Sequence, residues 1–295
     1  MQPVSAVSWL AKCGLGAATL LLACGLVTAW LGNEPQLPSV TTRDGTLITL
    51  SRYVREPIPE IVMVGSSLGF RLKEEYFATP RLRNLALAGG SPLTGLEIVL
   101  NQPALPKIVL VEANILTRPA DTALVEKYSR SGNAEPLFLR PVRTAVAAYE
   151  GWLHAPLSHA QAALALDRLL QGPPSDFDNR IYLDRALREF NSEYPTVDAL
   201  ANATRMQQLI AAIERRGVRV RLYELPYYET LEGARWATIP REIVHAKFPD
   251  PDQWLRIEFT RSELRWPDGA HLDERSALIV AQSIDRMLAS LPEPR

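Results

Sequence analysis

Two short stretches of this chain carry residue types that could do acyl chemistry together. Gly65-Ser66-Ser67-Leu68-Gly69 follows the apolar run Ile61–Val64, and Asp268-Gly269-Ala270-His271 lies just before the last apolar-periodic segment. A serine hydroxyl attacks an acyl carbonyl only when a base takes its proton, and imidazole is suited to that near neutral pH. A carboxylate three residues before His271 can reach the ring across a turn and fix its tautomer. The reaction also needs donors for the oxyanion that develops. Gly89 and Gly90, in RNLALAGGSPLTG, can offer backbone N–H groups unobstructed by side chains. Asn114, at the end of KIVLVEAN, can offer a side-chain amide. Each residue also has a plainer role. Serines cap helices, glycine pairs and asparagines make turns, and Asp268 and His271 could simply shape a loop while Asp273 caps the helix behind it.

The remaining histidines do not compete for the role of base. His154 and His159 lie in a helix-patterned segment without an acidic neighbour at useful spacing, and His245 in IPREIVHAKF reads as a surface or packing residue. No two histidines have metal-ligand spacing. The two cysteines, Cys13 and Cys24, both fall in the N-terminal apolar stretch. The expectation is therefore no metal, no cofactor, no disulfide in the bulk of the chain and no cysteine nucleophile. A net charge of −1 over 295 residues, with no aromatic-basic motif, gives no reason to expect nucleic acid.

The elements that must hold these groups follow a strand–helix rhythm. IVMV (61–64), RNLAL (83–87), KIVLVEA (107–113) and VRVRLYEL (218–225) read as strands. GFRLKEEYF (69–77), TGLEIVLNQ (94–102), 197–217 closing at Gly217, and 273–291 read as helices. TLITLSRYV (46–54) alternates in part and reads as an edge strand. Such alternation predicts a parallel sheet covered on both faces, with sites beyond the carboxyl ends of its strands. Between about 118 and 195 the rhythm breaks into helix-patterned segments: ALVEKYSRSG, PVRTAVAAYEGWL and HAQAALALDRLLQG. This reads as a helical insertion, serving either as packing or as a cap or docking surface.

The ordered set of blocks resembles the SGNH (GDSL-like) hydrolase superfamily. GSS at 65–67 stands where that family has Gly-Asp-Ser, which makes Ser67 the nucleophile and puts Ser66 at the usual aspartate position. NLALAGGSPLTG resembles the second block, with Gly89 as oxyanion donor. VEAN resembles a shortened third block, with Asn114 as the other donor. DGAH resembles the last block, with His271 as base and Asp268 as its orienter. The resemblance covers about 60–290, outside the insertion. It implies a flavodoxin-like three-layer α/β/α fold around a parallel sheet. GSSLG also fits the Gly-x-Ser-x-Gly elbow of α/β-hydrolases. There, however, the serine follows a mid-sheet strand and the acid is distant from the histidine.

The chain before this domain has its own physics. Residues 13–31 carry no charge, are long enough to cross a bilayer, and are bracketed by Trp9 and Trp30. Lys12 favours an N-terminus-in orientation. A cleaved signal and a lipidated Cys24 (in Leu21-Leu22-Ala23-Cys24) are the alternatives to a retained anchor. The expected organisation is an anchor at 1–32, a linker with a possible edge strand at 33–58, and an SGNH-like domain at 59–295. By resemblance to the membrane-anchored subgroup that handles alginate O-acetylation and teichoic-acid D-alanylation, the implied protein is a serine acyl esterase or O-acyltransferase. It would sit in the bacterial inner membrane by a single pass, face the periplasm, and act on acyl groups, acetyl first among them, of a cell-surface or secreted polysaccharide. It could work beside a membrane-embedded acyltransferase. The alternative is a non-catalytic member that binds polysaccharide or assists assembly.

Overall fold

The computed structural model describes residues 6–31, 42–79, 81–129, 159–192 and 194–291. PVRTAVAAYEGWL and His154 lie outside the described residues. The elements, in chain order, begin with α1 (Ala6–Leu31), α2 (Thr42–Arg55), β1 (Ile61–Val64), α3 (Ser67–Phe70), β2 (Leu82–Asn84) and α4 (Pro92–Leu100). They continue with β3 (Ile108–Glu112), α5 (Thr122–Ser129), α6 (His159–Gln171), α7 (Arg180–Ser192) and α8 (Thr196–Glu214). The series closes with β4 (Arg219–Tyr223), α9 (Glu229–Glu232), α10 (Arg235–Lys247) and α11 (Glu274–Ser290).

The four strands form one all-parallel sheet in the order β2-β1-β3-β4. Their side chains alternate between two cores. Val62, Val64, Val109 and Val111 face α2, α4, α5 and α8, with Leu50, Leu96 and Met206 among the buried partners. Ile61, Met63, Ile108 and Leu110 face the other way, against Leu68, Leu278, Ile284 and partly buried residues of α6 and α7. β1 and β3 are buried along their whole length, as strands covered on both faces must be. Both ends of α8 match the sequence closely. The chain leaves it through Gly217, whose φ of +83° is open to glycine, and enters β4.

Two elements differ from the sequence reading. The stretch 46–54 is part of α2 and not an edge strand. Leu47, Leu50 and Val54 recur at three and four residues, so one helical face meets the core. Leu50 and Tyr53 are buried there, and Leu47 and Val54 pack against them. The second difference follows the catalytic candidate. Helix over 69–77 is expected, but α3 stops at Phe70 and a single 3₁₀ turn follows at Glu74–Tyr76. Asn84 braces the carbonyls of this turn, its Nδ2 donating to Gly69 O at 2.8 Å and to Leu72 O at 2.7 Å. Glu74 is drawn to β2, accepting from Asn84 N–H at 3.0 Å and from Arg83 at 2.9 Å. Side chains from β2 thus hold the turn in place of further helical hydrogen bonds.

Within α1, the stretch Ala6–Leu26 is long and apolar enough to cross a membrane, and none of it is buried against the rest of the chain.

The α2 assignment makes a prediction. Leu50→Ala is expected to cost about 2–5 kcal/mol of stability, the range for a fully buried leucine. Ile48→Ala, off the core face, should cost about 1 kcal/mol or less. Denaturant unfolding of the two variants checks this; similar costs would contradict the helical register.

Candidate active site

Apolar β1 ends at Val64, and the chain turns at once through Gly65 into α3. Ser66 caps that helix, its Oγ accepting from Leu68 N–H at 3.2 Å. Ser66 is fully buried, whereas the next residue, Ser67, is partly exposed at the carboxyl edge of the sheet. The cap reading and the nucleophile reading therefore fall on different serines.

The turn is held from the neighbouring strand. Glu112, the last residue of β3, is fully buried beneath it. Its Oε2 accepts from Ser66 N–H at 2.8 Å and from Gly69 N–H at 2.9 Å, and its Oε1 accepts from the Ser66 hydroxyl at 2.7 Å. Burial pushes the Glu112 carboxyl pKa up, against the opposing pull of these three hydrogen bonds and of His271. Tyr223, paired in register with Glu112, brings its buried hydroxyl to the same place. A methyl on Gly69 would come 2.9 Å from Glu112 Oε2 and 3.1 Å from the Tyr223 hydroxyl. Glu112 was not singled out from sequence. The available signal was a carboxylate closing an otherwise apolar strand.

The other half of the site comes from the loop before α11. Asp268 Oδ1 accepts the N–H groups of Ala270 (3.1 Å) and His271 (2.8 Å), and its Oδ2 lies 2.7 Å from His271 Nδ1. Gly269 turns between them at φ +85°, and its carbonyl accepts from Tyr228 N–H at 3.0 Å. Burial pushes Asp268 up, but the bonds from the His271 ring, His271 N–H and Ala270 N–H outweigh it and bring its pKa down to about 2. An ionised Asp268 holds the proton on Nδ1 and leaves Nε2 as acceptor. His271 Nε2 sits 2.9 Å from Ser67 Oγ. Asp273 caps α11 by accepting from Ser276 N–H, a separate task from that of Asp268.

Ser67, His271 and Asp268 are thus brought into one hydrogen-bonded row. Gly89 stands on the loop after β2, exposed and at φ +76°. β2 reaches it alongside β1, with Leu85 N–H on Met63 O at 2.7 Å and Leu87 N–H on Gly65 O at 3.0 Å. The N–H groups of Ser67 and Gly89 have no partner among the described residues, whereas that of Gly90 closes a turn on Leu87 O. Asn114 is not brought into the row. Its Nδ2 donates to Leu225 O at 2.8 Å and its Oδ1 accepts from Leu225 N–H at 2.7 Å, which ties the ends of β3 and β4. The amide also lies beside the buried Tyr227 hydroxyl. Asn114 therefore ties the strand ends, which occupies its carbonyl oxygen and one of its two amide N–H donors. His245, in the last turn of α10, stacks on Trp254 at 4.1 Å, and His159 opens α6. Among the described residues no cluster of His, Cys, Asp or Glu could hold a metal.

Neither protein-family models nor curated proteins match this chain.

Two predictions follow. Glu112→Ala leaves two N–H groups and a hydroxyl buried without an acceptor, so a stability loss of about 3 kcal/mol or more is expected. Glu112→Gln keeps one oxygen for the N–H pair and should lose roughly 1 kcal/mol. Equal losses in denaturant unfolding would contradict the hydrogen-bonding account. At Asp268 the folded-state pKa is depressed from 3.8, so its stabilisation is complete above about pH 4 and disappears as pH falls through about 2. The stability gap between wild type and Asp268→Asn should close across that range. A gap independent of pH would count against the pairing.

Proposed function

We propose that this chain is a membrane-anchored serine acyl esterase or O-acyltransferase of SGNH type. The observation that carries the reading is the row Asp268–His271–Ser67, with contacts of 2.7 and 2.9 Å. The all-parallel sheet, with the serine after β1 and the acid three residues from the histidine, fits that superfamily better than an α/β-hydrolase elbow. The apolar α1 is compatible with a single-pass anchor and a periplasm-facing domain.

In this reading His271 Nε2 takes the proton of Ser67 as its Oγ bonds to the acyl carbonyl carbon. Asp268 stabilises the imidazolium. The oxyanion is held by the N–H groups of Ser67 and Gly89. Collapse breaks the ester bond, and the leaving alkoxide departs with the proton from His271. A water or a sugar hydroxyl, deprotonated by the same imidazole, then accepts the acyl group from Ser67. An acylated cell-surface or secreted polysaccharide is the proposed substrate class, and a membrane-embedded acyltransferase is a fitting source of acyl groups.

The test is hydrolysis of 4-nitrophenyl acetate by the full chain in detergent. Ser67→Ala is expected to lose on the order of a thousandfold or more, in line with triad removals. Ser66→Ala, which loosens the turn but leaves the nucleophile, should lose about tenfold. The opposite order would overturn the assignment. A well-folded wild type without turnover would favour a non-catalytic, polysaccharide-binding role.

A further inference from the structure

The helical insertion leaves large apolar side chains uncovered, and they collect at one edge of the domain. Phe177, Ile181 and Tyr182 precede or open α7, with Ile181 81% and Tyr182 60% exposed. This end of α7 lies against the base loop. Asn179 Nδ2 donates to Trp266 O at 2.8 Å, and Leu183 packs where a methyl on Gly269 would stand. Tyr194 and Val197 are exposed at the other end of α7, where α8 begins. Asn202 Nδ2 donates to Leu116 O at 2.7 Å, so the start of α8 also sits beyond the carboxyl ends of the strands. Phe70, in the same short helix as Ser67, is exposed at this edge too. Exposed apolar residues scattered singly are ordinary, whereas several gathered around one edge mark a contact surface.

What covers this edge follows from where the chain enters the domain. α2 starts at the carboxyl edge: Thr46 and Leu47 line one cleft with Ala88 and Gly89, and the helix then runs down toward the start of β1. α1, the helix apolar enough to cross a membrane, ends at Leu31, and α2 begins at Thr42. The eleven peptide steps between Leu31 and Thr42 reach at most about 40 Å. A domain of about 240 residues is roughly 45 Å across. A tether of that length cannot pass around the domain to set its amino edge on a bilayer held by α1. The carboxyl edge is the one within reach of the membrane. A short tether also keeps that edge at high local concentration, so a modest apolar surface suffices for docking. Tyrosines beside aliphatic and phenyl side chains suit the boundary between headgroups and acyl chains.

We propose that this edge docks on the bilayer that α1 spans, with Ile181, Tyr182 and their neighbours dipping into the headgroup boundary. The inference rests on α1 being an anchor and is independent of the acyl-transfer chemistry. It gives the helical insertion a task, that of a membrane-facing rim beside the base loop, and it turns Ser67 toward the membrane surface.

The test uses the full chain, carrying Cys13→Ala and Cys24→Ala, in phosphatidylethanolamine–phosphatidylglycerol vesicles that contain brominated phosphatidylcholine. A nitrobenzoxadiazole label is attached through Ile181→Cys or, at the amino edge, through Ile58→Cys, where the native side chain is also exposed. The label at 181 is expected to shift to the blue and to lose most of its emission to the brominated lipid, and the label at 58 to do neither. Adding Tyr182→Asp should relieve much of the quenching at 181, with unchanged thermal melts showing that the variant is folded. Equal quenching at both positions, or none at 181, overturns the docking, and resistance to alkaline carbonate extraction reports separately whether α1 is an anchor. A blue shift at 181 that brominated lipid does not quench, and that grows with the ratio of protein to lipid, overturns it in favour of a second copy of the chain. Selective quenching at 181 in a chain that carbonate strips from the vesicles upholds the surface and rejects the anchor.

Discussion

The site depends on one buried carboxylate. Glu112 gathers two backbone N–H groups and one hydroxyl from the β1–α3 turn, so the conformation of that turn is fixed by a side chain from the adjacent strand. Much of the local sequence follows from this. Gly65 must lack a side chain because a methyl there would lie 2.6 Å from Glu112 Oε2, and Gly69 is constrained in the same way. Ser66 must be a donor as well as a cap, since its hydroxyl gives a hydrogen bond to Oε1 and accepts one from Leu68 N–H. With both functions spent inward, the next hydroxyl, Ser67, is the one left to face the imidazole. The SGNH resemblance puts an aspartate where Ser66 stands. In this chain a carboxylate reaches the same turn from β3.

The second anchor is the Asp268–His271 loop, and it is built differently. There the carboxylate is local, and one oxygen organises the backbone while the other holds the ring. The helical insertion touches this loop: a methyl on Gly269 would come 2.9 Å from Leu183 of α7. Leu183 thus packs where the base is set, which gives the insertion a part in shaping the site. The two anchors meet only because β1, β3 and α11 share a core in which Met63, Leu110 and Leu278 are fully buried. The carboxyl edge of the parallel sheet is where a nucleophile from a strand–helix turn and a base from a pre-helix loop can converge.

Strands and long helices were legible in the sequence because burial on two faces leaves continuous apolar runs and amphipathic helices leave a 3.6-residue period. The α2 stretch misread because Thr46, Ile48 and Thr49 bring β-branched residues into a helix whose register is set by Leu47, Leu50 and Val54. Ser67, Asp268 and His271 were legible because their spacing is local or tied to element ends. Asn114 and Glu112 were not, because their roles are set by residues distant in sequence: Leu225 across the β3–β4 seam for one, and the β1–α3 turn for the other. Spacing along a single chain carries no record of which strand will lie beside which.

The central claim is that Ser67, and not its buried neighbour, is a nucleophile made reactive by His271. Labelling of the full chain in detergent with a fluorophosphonate, read by peptide mass spectrometry, measures this directly. The account predicts one adduct, on Ser67, which persists in Ser66→Ala and is lost in His271→Ala. An adduct on Ser66, or labelling of Ser67 that is indifferent to His271, would contradict it.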